Sequence, residues 1–419
     1  MTPKIPLIAG LFAAALVSTC VAQEPAFALH DGDRVVFYGD SITQAGGYGH
    51  LVEVYTRCHF PKWDIRFYNS GVGGDRVTGG WAGKDDIRVQ RDVIALKPTV
   101  VTIMLGMNDG RYRPLTKATM DGFTQGYRSI IDRIKAALPG VRIYLIRTSP
   151  FDDITRSPQF GNGYDEVLQK MGDAVAAIGV DEHLEVVDFG KAVDDGLRAV
   201  WAENKDLAKQ LLPDRVHPNP SGHTVMGATL LRAWHAPSVV THVQIDALAG
   251  KALSAENATV SEVVASSGTL TWKETDSSLP LPVNFDNSDT FLAEKAGADL
   301  EAIDSEALVV TGLKAGAYHL MIGDSDIGTF AADQLASGIN LARYNTPMRS
   351  EGNSVGWSSE DSLQAQLTRR QMFRATGSPV KGGAETADLL LAYDEALQAA
   401  RSSNILLPER VFTLSPITP

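Results

Sequence analysis

Cysteine is nearly missing from this chain: its 419 residues include two, Cys20 and Cys58. So few exclude a disulfide-built scaffold and a cysteine-based metal site. Positive charge is also short, with 38 Lys+Arg against 50 Asp+Glu and a net charge of −12. Nucleic acid and anionic lipid both call for basic patches, so neither is expected as a partner. Beyond the N-terminus no apolar run could cross a bilayer. What is present is a globular composition, 44% hydrophobic and 21% charged. It is neither disordered nor fibrous, and the length suggests roughly two or three domains.

Residues 1–22 form a separate object. Lys4 is their only charge, Ile5 to Thr19 is apolar, and Cys20-Val21-Ala22 offers a small-residue cut site. One basic flank, a short apolar run and such a site read as a secretory signal peptide, cleaved near Ala22. The run is shorter than the ~20 residues a membrane span needs. A lipid anchor at Cys20 is the weaker reading, because Thr19 precedes it where a smaller residue is usual. The expected product is periplasmic or secreted and has lost Lys4. Cys58 is then left without an intrachain partner and is read as a buried small hydrophobe.

From Arg34 to about Ala236, short apolar runs alternate with amphipathic stretches. Candidate strands are Val35–Tyr38, Ile65–Tyr68, Val100–Leu105, Val141–Ile146 and Leu184–Phe189, each bounded by Gly, Pro, Asn or Asp. The best-marked helix carries Phe123, Tyr127, Ile130, Ile134 and Leu138 and stops at Pro139-Gly140. This alternation predicts an α/β fold, a parallel sheet with helices on both faces and reactive groups at the carboxyl ends of strands. The first strand, apolar and uninterrupted, suits a central place. After about Val240 the texture becomes β-rich, with alternating segments such as Tyr318–Ile322. Two helices follow, one starting near Ser358 or Ser359 and ending with Arg369, Arg370 and Arg374, the other over Ala384 to Ala400. The tail Arg410–Leu414 alternates as a strand does and is expected to return to a sheet. The resulting division is a signal peptide (1–22), a catalytic domain (30–240), a β-rich accessory module (241–357) and a helical extension packing back on the core (358–419).

Four short blocks stand at strand ends or helix starts: Gly39-Asp40-Ser41-Ile42-Thr43, Asn69 to Arg76, Gly106-Met107-Asn108-Asp109-Gly110, and Asp214-Arg215-Val216-His217-Pro218. Together they supply what acyl transfer requires. A serine hydroxyl attacks well only when a base takes its proton, and imidazole is the usual base. A carboxylate holds that imidazole in one tautomer and stabilises it once protonated. Asp214 and His217, three apart, can act from one turn. The tetrahedral oxyanion needs fixed donors, which the Ser41 amide, the Gly74 amide and the Asn108 side chain can provide. Singly, Ser41 could be a helix cap, Asn108 a turn residue, Gly74 a positive-φ position and Asp214 a cap. Together they would need four coincidences.

In order and placement these blocks resemble the signature blocks of the SGNH, or GDSL, hydrolase superfamily across about residues 33–235. The resemblance implies a flavodoxin-like α/β/α sandwich and hydrolysis of esters. It also implies Ser41 as nucleophile, His217 as base, Asp214 as its partner, and Ser41, Gly74 and Asn108 in the oxyanion hole. Ile42 stands where the name-giving pattern has Leu. The second half is similar to C-terminal extensions on some exported bacterial members.

Two further matches are read as turns. Gly352-Asn353-Ser354-Val355-Gly356 fits a nucleophile-elbow pattern but lacks a preceding strand, and Gly323-Asp324-Ser325 has no histidine after it. The nine histidines form no metal-ligand pair at helical spacing, no phosphate loop or dinucleotide fingerprint occurs, and no cofactor is expected. His223 is read as structural. Gln44, Tyr48, Arg76, Tyr112 and Arg113 lie beside the blocks and are candidates to line the mouth, where Arg and Tyr suit sugar hydroxyls and ring faces. Arg76 could instead pair with Asp75 or Asp109. With no long apolar lid after the serine, the expected function is removal of O-acyl, above all O-acetyl, groups from carbohydrate. A lipid or general short-chain carboxylesterase and a non-catalytic glycan-binding protein are the alternatives.

Overall fold

The computed structural model describes residues 26–373, 381–401 and 405–417. The signal-peptide reading, Cys20 and Arg374 lie outside them. Five parallel strands form the first sheet, in the order Arg66–Gly71, Arg34–Gly39, Val100–Met104, Arg142–Arg147, Glu185–Asp188. Helices flank it, giving the expected α/β/α sandwich. Each strand coincides with a candidate from the sequence to within three residues at either end. The central strand, however, is Val100–Met104, buried at every position. Arg34–Gly39 lies beside it. Uninterrupted apolar character reports cover on both faces, which every interior strand has; it does not rank them. Between these two neighbours the chain reverses its direction of travel across the sheet, the crevice where ligands of open α/β sheets sit.

The helix Lys117–Ala137 buries Phe123, Tyr127, Ile130 and Ile134 on one stripe. It starts at Thr116, whose side chain accepts from the Thr119 amide. Cys58 is fully buried in the helix Gly47–His59, and burial pushes its thiol far above the ordinary range. It is a packing residue.

Past residue 238 the chain builds two more sheets. One is antiparallel, ordered Ala258–Ser266, Thr269–Asp276, Arg410–Pro416, Ala317–Ile322, Ser325–Ala331. The tail strand therefore sits at its centre, and Phe412 stacks on Trp272 with ring centroids 5.0 Å apart. The other contains Ile339–Asn340, Ser305–Thr311, Val239–Asp246 and Lys251–Glu256. Gly323 and Asp324 form the turn of a hairpin, as expected. The other match does not form a turn. Residues 352–356 lie inside the helix Pro347–Gln371, which begins about eleven residues before the expected start. Its true start signal is Thr346, capping the Arg349 amide, with Pro347 in the first turn. Two interior glycines mask the helical pattern, and Gly352 is there for contact: a Cβ would come 2.9 Å from the Pro280 carbonyl oxygen.

The C-terminal helices Pro347–Gln371 and Gly383–Arg401 cover the edge of the first sheet. Among the described residues, strand Arg66–Gly71 has no strand beyond it, so its outer backbone groups need other partners. Gln366 accepts from the Asn69 amide (2.6 Å) and donates to the Phe67 carbonyl (2.9 Å). Gln398 accepts from the Phe67 amide (2.8 Å) and donates to the same carbonyl (3.0 Å). Arg370 donates to the Asn69 carbonyl. Side-chain amides thus imitate a sixth strand. The β-rich part is tied in as well: Leu279 N donates to the Cys58 carbonyl (2.9 Å), and His59 meets Asp304 at 3.0 Å.

Candidate active site

Ser41 opens the short helix Ser41–Gln44 directly after the first strand. Asp40 caps that helix, accepting from the Ile42 amide at 3.0 Å. Strand and cap together fix the serine at the carboxyl edge of the sheet. From the other end of the domain, the Leu212–Asn219 loop delivers His217 and Asp214. Asp214 Oδ1 accepts from the Val216 and His217 amides at 2.9 and 2.8 Å, while Oδ2 meets His217 Nδ1 at 2.6 Å. Arg215 adopts a left-handed φ of 77° to allow this wrap. With Nδ1–H committed to the carboxylate, Nε2 is free to accept from the Ser41 hydroxyl, 2.8 Å away. Burial pushes the Asp214 carboxyl upward, but the hydrogen bonds from His217 and Val216 outweigh it and hold the group below its ordinary value.

Asn108 and Gly74 stand in the loops after the neighbouring strands, where a Cβ built on Gly73 would lie 3.9 Å from the Ser41 Cβ. Asn108 Nδ2 donates to the Asp75 carbonyl (3.1 Å) and Oδ1 accepts from the Tyr112 hydroxyl (3.3 Å), leaving the second Nδ2 proton unused. Gly74, at φ 75°, is the third residue of the turn 72–75, closed by the Asp75 amide donating to the Val72 carbonyl (3.1 Å). Among the described residues, neither the Gly74 nor the Ser41 amide donates to a protein acceptor. Underneath lies a centre the sequence reading missed: buried Arg88 donates to Asp75 (2.9 Å), Asp92 and the Ser70 carbonyl (2.9 Å). Asp75 is thus paired by Arg88 and not by Arg76.

The residues expected at the mouth divide. Tyr112 and Arg113 are exposed, Tyr112 in left-handed backbone beside Asn108, and Arg76 is half-buried. Gln44 is half-buried and turned inward, its Oε1 accepting from the Gly73 amide at 2.6 Å. Tyr48 does not reach the mouth: it is fully buried, bonded to Thr43 at 2.9 Å and packed against Phe37 and Phe189. Its sequence neighbourhood is close to Ser41, but a helical turn points it into the core. His223 is buried against Tyr48, and desolvation, with His217 nearby, lowers its pKa to about 4, so it stays neutral as a packing group. Among the described residues, no three His, Cys, Asp or Glu are grouped as a metal would require, and no helix is long and apolar enough to cross a membrane.

Residues 37–225 match the model of the GDSL-like lipase/acylhydrolase family. The chain carries a domain of that family. It is a carboxylic ester hydrolase. The matched segment of this GDSL-like domain contains Ser41, Gly74, Asn108, Asp214 and His217. An acetylxylan esterase of Geobacillus stearothermophilus is 28% identical over 225 residues, covering 48% of this chain and 93% of that protein. A GDSL esterase/lipase of Arabidopsis thaliana is 28% identical over 228 residues, 49% of this chain and 88% of that one. Among solved structures, a gut microbial diltiazem-metabolizing enzyme superposes with a TM-score of 0.79 at 23% identity, over 94% of this chain and 99% of that one. That likeness concerns the fold, and it extends through the sheets and helices that follow the GDSL-like domain.

Proposed function

We propose that the protein is an exported serine esterase that removes O-acetyl groups from carbohydrate. Ser41 attacks the ester carbonyl as His217 Nε2 takes its proton. Asp214 holds the imidazole with Nδ1–H toward the carboxylate and stabilises the imidazolium. The amides of Ser41 and Gly74 and the free Asn108 N–H receive the oxyanion. His217 then protonates the departing alcohol, and water, deprotonated by the same ring, releases acetate from Ser41. The observation that carries this reading is the unbroken Asp214–His217–Ser41 chain, at 2.6 and 2.8 Å, at the carboxyl end of a parallel sheet.

Two things support a small acyl group. The His217 side chain is 46% exposed and that of Asp214 is 56% exposed, so the base and its partner lie open to solvent. An acetylxylan esterase is also among the relatives, matching 48% of this chain over 93% of its own length. Each methylene held in a good apolar pocket adds about 0.8 kcal/mol, so a lipid-adapted site would favour long chains steeply. The test is kcat/KM for esters from acetate through butyrate to octanoate, with acetate release from acetylated xylan and Ser41→Ala as the blank. The expected profile is flat or falling with acetate released. Rising activity toward octanoate without release from glycan identifies a lipid or general carboxylesterase. Glycan binding unchanged by Ser41→Ala, with no turnover in either protein, identifies a binding protein.

A further inference from the structure

The two peptides that meet at Gly73 are each held by a side chain that the catalytic reading leaves unused. Gln44, three residues after Ser41, accepts from the Gly73 amide at 2.6 Å. On the other side the Trp81 indole donates its Nε1–H to the Gly73 carbonyl at 2.9 Å. Trp81 sits at the tip of a two-stranded hairpin, Gly79–Gly80 with Gly83–Lys84. Arg91 anchors that hairpin by donating to the Ala82 carbonyl at 3.0 Å. Trp81 as a whole is 43% exposed. A large apolar side chain is thus kept at the surface, at the edge of the site, by one directed hydrogen bond.

What that bond controls follows from the turn. The Gly73 carbonyl and the Gly74 N–H are opposite ends of one planar peptide. In a turn with positive φ at its third residue, as at Gly74, the central peptide has the type II orientation. Rotating that peptide by about half a turn gives type I, with negative φ at the same residue. Most sequences are confined to one form by a side chain. Two adjacent glycines are not, because glycine takes either sign of φ at little cost. The flip would carry the Gly74 N–H away from the serine and bring the carbonyl oxygen, the wrong end of the dipole, toward the developing negative charge. The Trp81 bond exists in one orientation only.

We propose that Trp81 is a positioning residue that locks the Gly73–Gly74 peptide so that the Gly74 amide faces the oxyanion, while Gln44 fixes the preceding Val72–Gly73 peptide about which it would turn. This rests on the assignment of the Gly74 amide to the oxyanion hole. Trp81 touches the peptide and not the reacting atoms, so its effect belongs to the transition state. Removing a whole oxyanion donor costs about 10²–10³ in rate, and releasing one to flip costs less, about 10-fold.

The test is steady-state kinetics of Trp81→Phe and Trp81→Ala on a short acetate ester, with inhibition by a trifluoromethyl ketone that adds to serine as an oxyanion. Both variants are expected to lose about 10-fold in kcat and the same factor in ketone affinity, with KM and Tm nearly unchanged. Gln44→Ala in the Trp81→Phe background should add less than it does alone, because both side chains restrain the same glycine from its two ends. A rise in KM at constant kcat, larger for Ala than for Phe, would make the ring a substrate wall and overturn the proposal. So would unchanged ketone affinity. Asn108→Ala in the same assay separates the two readings: its loss of kcat beside an unaffected Trp81→Phe rejects this inference alone, whereas full activity in Asn108→Ala rejects the oxyanion hole itself.

Discussion

Asn108 shows how a single side chain is prepared before any substrate arrives. Its oxygen is engaged by Tyr112 and one of its amide protons by the Asp75 carbonyl, which leaves one proton directed elsewhere. In the proposed oxyanion hole, Asn108→Ala should therefore lower kcat by about 10²–10³ with little change in KM, since such a donor acts chiefly in the transition state. An effect on KM alone would make Asn108 a binding residue. Asp214 is prepared differently. Its Oδ1 is occupied by two backbone amides, so an asparagine there would keep its oxygen toward them and present NH₂ to His217 Nδ1. That forces the opposite tautomer, with the proton on Nε2 where the serine must donate. Asp214→Asn should cost about 10³–10⁴ in kcat at unchanged Tm, read by turnover of the acetate ester and by thermal melting. A loss below 10-fold would show that the ring finds its tautomer without the carboxylate.

At the scale of the element, the strand Arg66–Gly71 is the edge strand of the first sheet, covered by the C-terminal helices, and it leads into the loop that carries Gly74. Its outer edge is satisfied by Gln366, Gln398 and Arg370. Gln398 is fully buried and serves both polar groups of Phe67. Gln398→Leu keeps roughly the same volume but leaves the buried Phe67 amide without an acceptor. This should destabilise the fold by about 1–3 kcal/mol, measured by urea unfolding. Stability equal to the parent would mean that water or a shifted side chain replaces the amide, and that the helices are not needed as an edge. None of this is visible along the sequence. Glutamine on a helix reads as solvent-facing, and nothing local says that the partner lies about 300 residues away. The early start of Pro347–Gln371 was hidden for a related reason: its Gly352 answers to Pro280, a tertiary contact.

The whole molecule carries an unusual load of buried acid. Burial pushes Asp40, Asp109 and Asp194 each up to about 7. Asp40 and Asp109 lie beneath the site and each repels the other's charge. In the unfolded chain such groups ionise near 4. The folded state therefore holds protons that the unfolded state has lost, and the stability this gives is complete below pH ~4 and is lost as pH rises through about 7. His223 works the other way, lowered to about 4 by burial, so its contribution is complete above the ordinary imidazole range of ~6.5. Asp214, held low, is constant there too. Between pH ~6.5 and 8 only the raised carboxyls set the slope. The urea midpoint should fall over that interval, and Asp109→Asn, which preserves the acceptor for the Val77 amide, should flatten the fall. A midpoint that rises, or an unaltered slope in the variant, would contradict the assignment of buried neutral acids.

The sequence by itself determined the five parallel strands, the helical stripe of Phe123 to Ile134, the β texture after residue 240 and the four blocks at strand ends. Each is written in local spacing: apolar runs of strand length, a three- and four-residue period, and turn residues at the right offsets. The same blocks carried the resemblance to the family whose model matches residues 37–225. Only the tertiary structure decided which strand is central, because burial on both faces is common to all interior strands. It alone turned Tyr48 into the core, gave Asp75 to Arg88, and set the tail strand Arg410–Pro416 in the middle of a distant sheet. It also brought Trp81 to the Gly73 carbonyl. These are pairings between groups whose own sequence neighbourhoods look ordinary. Spacing along the chain specifies what a residue can do, and packing specifies which group it meets.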